Sequence, residues 1–363
     1  MASQITNYQC PNCAGPLQFV GESGKLECGY CKSSFDVAVI EQLYADKEQA
    51  AAAEKEPQWD FTKAGGTWTD EETAHLRAYG CPSCGAQLVC DENTVATSCP
   101  YCGNPTVVPS RYAGQLKPDY VIPFKLDKNK AEEALKKHYH GKKFLPKDFT
   151  DANHLGEVQG IYVPFWLFDG QSKASMRYSA TKVSSHNSGG YKITHTDHYR
   201  VAREGTVAFE KVPVDGASKM PDAHMDAIEP FDYRELRPFS SAYLPGFLAY
   251  KYDEDAETCS KRANRRIIDS TERLFASTTK GYATVTRDYA GMELLHSEIG
   301  YALLPVWMLY TKWRDKDFLF AMNGQTGKLI GDLPVDKGRY WGWFAKIYLP
   351  VAVLLAIGLF ILL

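Results

Sequence analysis

Basic residues are scarce in the first third of the 363-residue chain: positions 1–110 hold six Lys and Arg against fourteen Asp and Glu, a net charge of −8, while the remainder stands at +5. Phosphate binding needs clustered cations, so this region argues against nucleic acid as its ligand. A basic-then-apolar leader is also missing from the opening MASQITNYQC, which points to a reducing, cytosolic setting. Complete catalytic signatures are lacking too. Gly324-Gln325-Thr326-Gly327-Lys328 has the outline of a phosphate loop, but Leu329 follows where Ser or Thr is required and no Gly lies five residues before Gly327. His195 and His198 would face opposite sides of a strand, and with His138 and His140 they read as surface histidines. A non-enzymatic protein is expected.

What the chain does have is cysteine in a strict pattern. Eight of its ten cysteines form CxxC pairs within the first 102 residues: Cys10 and Cys13, fourteen residues, Cys28 and Cys31; then Cys81 and Cys84, fourteen residues, Cys99 and Cys102. Each ligand of the second set lies 71 positions after its counterpart, as Leu88 does after Leu17, so one module has been duplicated. In a reducing compartment such thiols persist as metal ligands. Zn2+ has no directional d-electron preference and accepts four thiolates tetrahedrally. Two tight knuckles facing each other across a hairpin supply them, and two structural zinc ions per chain are expected. Four sulfurs leave no open position for water or substrate, which excludes a hydrolytic role for the metal. Cys90, at the position that Phe19 holds in the first module, and Cys259, in a helical segment, read as buried apolar residues.

The expected fold is α+β in five parts: a zinc ribbon over 1–36, a helical connector over 37–79, a second ribbon over 80–110, a duplicated antiparallel α+β body over 111–335, and a transmembrane helix over 341–363. In the connector, apolar residues at helical spacing predict a helix from Phe35 to about Glu56. Thr69-Asp70-Glu71-Glu72 predicts a capped helix leading to Tyr79. Trp59 and Trp68 fit packing of the connector onto a ribbon better than contact with a partner. The halves of the body, 119–215 and 240–335, are related by Phe124 to Asp127 against Tyr250 to Asp253, and by Glu157-Val158 with Pro164-Phe165-Trp166 against Glu298-Ile299 with Pro305-Val306-Trp307. Asp127 and Asp253 would cap helices over 128–140 and 254–277. Alternation over 173–182, 191–200, 281–289 and 318–322 predicts half-buried strands, Asn323-Gly324 with Gly327 predicts a tight turn, and Phe165, Trp166, Trp307 and Trp313 are expected in the core.

Ile347 to Leu363 contains no charged side chain, and with Trp341 to Lys346 it is long enough for one bilayer crossing at about 1.5 Å per residue. Trp341, Trp343 and Tyr348 suit an interfacial belt, and Lys337, Arg339 and Lys346 before the span place the body in the cytoplasm. Pro350 falls in the first turn or so of the apolar run, where a helix tolerates it best.

CPxC ribbons, Pro-x-Trp strands, an Asn-Gly-Gln-Thr-Gly-Lys turn and a terminal span, in this order, resemble bacterial TFIIB-type zinc-ribbon membrane proteins over nearly the whole chain. The resemblance implies zinc at the eight cysteines and no catalytic residue. Relatives labelled replication restart helicase owe that label to the ribbons; the nucleotide loop of a helicase is missing here. Some members are encoded beside phage-shock and flotillin-like proteins, which implies protein partners of that kind at the lipid bilayer. The expected function is a membrane-anchored adaptor or scaffold. Nucleic-acid binding, through Lys261, Arg262, Arg265, Arg266 and Arg273, and an enzyme with an unrecognised site in the body are the alternatives.

Overall fold

The computed structural model describes residues 8–362 apart from 14, 53–56, 93, 95, 97, 106, 111–115, 151–157 and 315; the side chains of 46–52, 110, 147, 150, 354 and 356–362 lie outside the description as well. In chain order, β1 (Leu17–Val20), β2 (Lys25–Cys28), β3 (Ser34–Asp36) and α1 (Val37–Ala52) carry the first cysteine module. α2 (Asp70–Ala74), β4 (Leu76–Gly80), β5 (Gln87–Asp91) and β6 (Val108–Ser110) surround the second. The first half of the body is β7 (Tyr120–Val121), α3 (Lys128–Tyr139), β8 (Gln159–Ser188) and β9 (Tyr191–Asp215), followed by α4 (Asp222–Ile228) and β10 (Arg237–Pro238). The second half is β11 (Leu248–Tyr250), α5 (Ala256–Ala276), β12 (Thr284–Trp313), β13 (Lys316–Asn323) and β14 (Leu329–Gly331), before α6 (Lys337–Leu362). The protein is thus a mixed α+β chain.

Two compact units emerge: Met1–Gln58 with Gly170–Ala208 and Asn264–His296, and Trp59–Asp169 with Phe209–Ala263 and Ser297–Leu363. In the first unit, β1-β2-β3 form a small antiparallel sheet. Phe19, Leu26 and Phe35 stand opposite one another across it, and buried Ile40 anchors α1. The turn between β8 and β9 is Gly189-Gly190, both at positive φ, as a two-residue hairpin with the native strand twist demands.

The second unit is built on a sheet in the order β10-β7-β12-β8-β11-β5-β4-β6. It is mixed, which corrects the antiparallel expectation: β7 runs parallel to β12 and β11 parallel to β8. Two and three residues are too few for alternation to reveal direction. Along β8, Ile161, Val163, Phe165 and Leu167 point into one core layer, and along β12 Ala302, Leu304, Val306 and Met308 join them. The other face of β12 offers Trp307 and Leu309 to Ala131 and Leu135 of α3. A strand buried on both faces has no polar side, and each large side chain so enclosed contributes about 1.5–3 kcal/mol.

Equivalent bonds recur in the two halves, in a register two residues from the expected match of Asp127 with Asp253: Asp253 and Glu254 stand where Lys125 and Leu126 do. Trp166 donates its indole N–H to the Glu254 carbonyl at 2.9 Å, and Trp307, 141 positions later, donates to the Leu126 carbonyl at 2.9 Å. The Gly216 amide bonds the Pro164 carbonyl and the Gly324 amide the Pro305 carbonyl; Asp253 and Glu254 amides return to Gly216, as Lys125 and Leu126 amides do to Gly324. A Cβ at Gly216 would stand 2.9 Å from the Glu254 oxygen and one at Gly324 2.9 Å from Pro305, so close approach demands glycine at both. Each half reaches across: β7 of the first pairs with β12 of the second, and β11 of the second with β8 of the first.

Local expectations meet mixed outcomes. Thr69 and Glu72 form a reciprocal capping box at α2, but the helix stops at Ala74 and Tyr79 lies in β4. Asp127 caps α3 through the Lys130 amide. At α5 the cap is Asp255, bonded to the Thr258 amide at 2.8 Å, because Asp253 is engaged by Ser218 and Tyr250. Trp59 packs on Phe168 and Phe209, and Trp68 on Phe239, in the body rather than on a ribbon. Trp313 is only half-buried. Residues 53–56 of the connector helix, Glu157, and the end of the expected 341–363 span, residue 354 and residues 356–363, lie outside the described side chains. Among the described residues no helix is long and apolar enough to cross a membrane.

Candidate metal centres

Each CxxC is a tight knuckle closed by main-chain bonds. The amide of its first cysteine donates to the carbonyl five residues on: Cys10 to Gly15, Cys28 to Ser33, Cys81 to Ala86 and Cys99 to Asn104, at 2.6–2.9 Å. The return bond, from the amide four residues on, runs from Lys32, Gly85 and Gly103 to Cys28, Cys81 and Cys99. All three donors have positive φ. Glycine takes that conformation freely; Lys32 does so at some cost.

Knuckles facing each other bring four sulfurs together twice: Cys10, Cys13, Cys28 and Cys31, and Cys81, Cys84, Cys99 and Cys102, with all Sγ atoms of a group within 4.8 Å of one another. The closest approaches are 3.5 Å for Cys10 and Cys31, 3.4 Å for Cys13 and Cys28, and 3.6 Å for both Cys81 with Cys102 and Cys84 with Cys99. A tetrahedron with metal–sulfur bonds of about 2.3 Å has edges of about 3.8 Å. Disulfides, at about 2.05 Å, do not fit. Both groups therefore suit a tetrahedral metal ion, and four soft thiolates suit zinc. Ser33, through its hydroxyl and its amide, pulls the Cys31 thiol down to about 6, whereas burial pushes Cys10 up to about 12.

The two centres differ in their surroundings. In the second, Leu88, Cys90 and Tyr101 belong to the same buried layer as β8 and β12, β5 pairs with β11, and the Tyr101 and Tyr250 rings lie 4.9 Å apart. The second ribbon thus extends the body sheet. The first keeps its own three strands, and Cys13 and Cys31 are exposed.

The remaining candidates stand apart from both centres. Cys90 is buried, gives its S–H to the Thr94 carbonyl and is pushed up to about 11 by burial. Cys259 is buried near the Asp215 carbonyl, and burial raises its thiol as well. His186 and His195 stack at 5.7 Å, and His198 meets the edge of Phe35. His138 is half-buried beside Tyr139 and Phe320 rather than on the surface, and burial lowers its pKa. No histidine joins a group of metal ligands among the described residues. In the basic cluster, Arg262 is turned inward to Asp215 at 3.0 Å, Asp222 at 2.9 Å and Asp226 at 3.4 Å. A guanidinium shared by three carboxylates is lost to phosphate binding. Sequence reasoning missed this network; its signal was the match of Asp215-Gly216 to Asn323-Gly324.

A protein of Bacillus subtilis strain 168 that bears the name Uncharacterized protein YdjG is 34% identical to this chain over 343 residues, 94% of each. The chain belongs to the YdjG family. The likeness runs through almost the whole length, so it is not owed to zinc ribbons alone, and the YdjG family shares the body as well. No family model matches the chain, and no solved structure matches it.

Proposed function

We propose that the chain is a membrane-tethered adaptor: two closed zinc ribbons and an α+β body present cytoplasmic surfaces to protein partners, and α6 crosses the bilayer once. The observation that carries this reading is the surface of α6. Trp341, Trp343, Phe344, Ile347, Tyr348, Leu349, Val351, Val353 and Leu355 are all exposed. Spread over four turns, they leave no side of the helix polar, whereas a helix docked on a soluble body hides its apolar stripe. Asp336 caps its start through the Arg339 amide, and Lys143 lies 4.3 Å from the centre of the Trp343 ring, an arrangement suited to a headgroup layer. Twenty-six residues extend about 39 Å. Closed four-sulfur centres, and the resemblance to TFIIB-type zinc-ribbon membrane proteins, support binding rather than catalysis.

Fractionation of cells expressing the full chain and a variant ending at residue 340 tests the reading. The full chain is expected in membranes after a carbonate wash and the variant in the supernatant. Recovery of both in the supernatant overturns the tether.

A further inference from the structure

The two ribbons are copies of one module, yet equivalent positions have opposite fates. Tyr101 is 8% exposed and its counterpart Tyr30 78%; Cys90 is 0% exposed and its counterpart Phe19 62%. Leu88 and Ala86 are buried, whereas Leu17 and Gly15 are partly open, and Cys84 and Cys102 are half-covered where Cys13 and Cys31 are exposed. The second copy is covered by the core layer it shares with β8 and β12, and its Tyr101 ring by an extended segment, β11, whose Tyr250 lies against it and whose next residue is Lys251, with its amide on the Gln87 carbonyl. In the first copy no such segment lies against these rings among the described residues, and β2 takes the edge of β1 that corresponds to the β11 edge of β5. A ligand there is held by side chains rather than by an added strand.

We propose that the first ribbon is the docking module of the adaptor, and that Phe19 and Tyr30 take an extended, basic segment of a partner protein bearing an aromatic side chain. The aromatic component follows from the internal template: large rings at the open positions are the residue types that dominate binding energy once a partner desolvates them. The basic component follows from charge. Residues 1–36 carry Lys25 and Lys32 against Glu22, Glu27 and Asp36, and a divalent ion held by four thiolates adds two negative charges. An acidic aromatic surface favours a cationic segment.

This deepens the adaptor reading and rests on it for the role of the contact, but its test is separate from the membrane. The zinc-loaded full chain in lipid nanodiscs is titrated into a fluorescein-labelled peptide with the sequence of residues 245–252, Pro-Gly-Phe-Leu-Ala-Tyr-Lys-Tyr, and polarisation is read. Saturable binding is expected, weakened at least tenfold by Phe19→Ser with Tyr30→Ser and by a peptide with Ser for Tyr250 and Glu for Lys251. Zinc content and circular dichroism report whether the double variant folds; Phe19→Ser, outside the knuckles, serves if it does not. No saturable binding, or binding indifferent to Phe19 and Tyr30, overturns the proposal. So does sedimentation showing a dimer that these substitutions dissolve, since a second copy would then be the occupant. A chain that binds the peptide yet fractionates as soluble would refute the tether and leave the docking face standing.

Discussion

Replacing Asp215 by Asn should change how stability depends on pH. Asp215 ends β9 where Asn323 ends β13, and the two sites solve the same packing problem differently. Asn323 is satisfied throughout: its carbonyl oxygen accepts the Gln325 and Thr326 amides at 2.9 Å, and its amino group donates to Ile228 at 3.0 Å and Pro230 at 3.4 Å. Asp215 is equally buried, takes Arg262 on one oxygen, and leaves the other without a hydrogen bond. Burial raises its pKa to about 7, with Arg262 opposing and the Asp222 charge adding to the rise. The unfolded value is about 3.9, so between these limits the folded state holds the proton more firmly. The slope 2.303RT(νU − νN) is then negative, and stability falls as pH climbs from about 4 to about 7. Three units amount to about 4 kcal/mol in all, of which about 2 kcal/mol falls between pH 5.5 and 8. Zinc release at low pH works in the opposite direction, so the decisive quantity is the difference between wild type and Asp215→Asn. Urea unfolding followed by tryptophan fluorescence should show wild type losing about 2 kcal/mol relative to the variant across that window. Parallel profiles would refute the assignment of a buried, half-compensated carboxylate.

Two further outcomes follow from the ribbons and the duplicated body. Cys10→Ser and Cys99→Ser should each lower zinc from two ions per chain to one, measured by atomic emission. Only Cys99→Ser should make the body, β8 and β12 included, accessible to protease, because its ribbon is continuous with that sheet; equal protease patterns would count against the integration described above. Trp166→Phe and Trp307→Phe each strand a carbonyl that now receives an indole N–H, and each should cost about 1–3 kcal/mol, with a disparity beyond about 2 kcal/mol between them contradicting the equivalence of the halves.

Much of this is legible in the sequence itself, for physical reasons. Candidate metal ligands declare themselves because a tetrahedral site built from turns demands fixed spacing, and the eight cysteines converge in two groups of four as that spacing requires. Thr69 with Glu72 and Asp127 announced their caps because capping is local. The Pro-x-Trp repeat was visible because both indoles serve one purpose. Long-range pairing left weaker traces. Nothing in Leu248-Ala249-Tyr250 says that it will lie between β8 and β5, and Gly216 escaped notice as the counterpart of Gly324 because β9 runs 25 residues and β13 only eight. Asp253 looked like a cap and Asp255 was one, a choice settled by Ser218 from elsewhere in the fold and by Tyr250 three residues before.

The crossed strands of the body bear on how the protein is made. β7 emerges early from the ribosome, yet the residues it hydrogen-bonds, Ala302 and Leu303, are translated some 180 positions later. Until then that edge stays open in the nascent chain, although both four-cysteine groups, complete at Cys102, have already been translated. Prolonged exposure of an unfinished sheet edge invites wrong pairing with neighbouring chains. A messenger truncated before codon 302 should therefore yield aggregates rather than a half-sized soluble product.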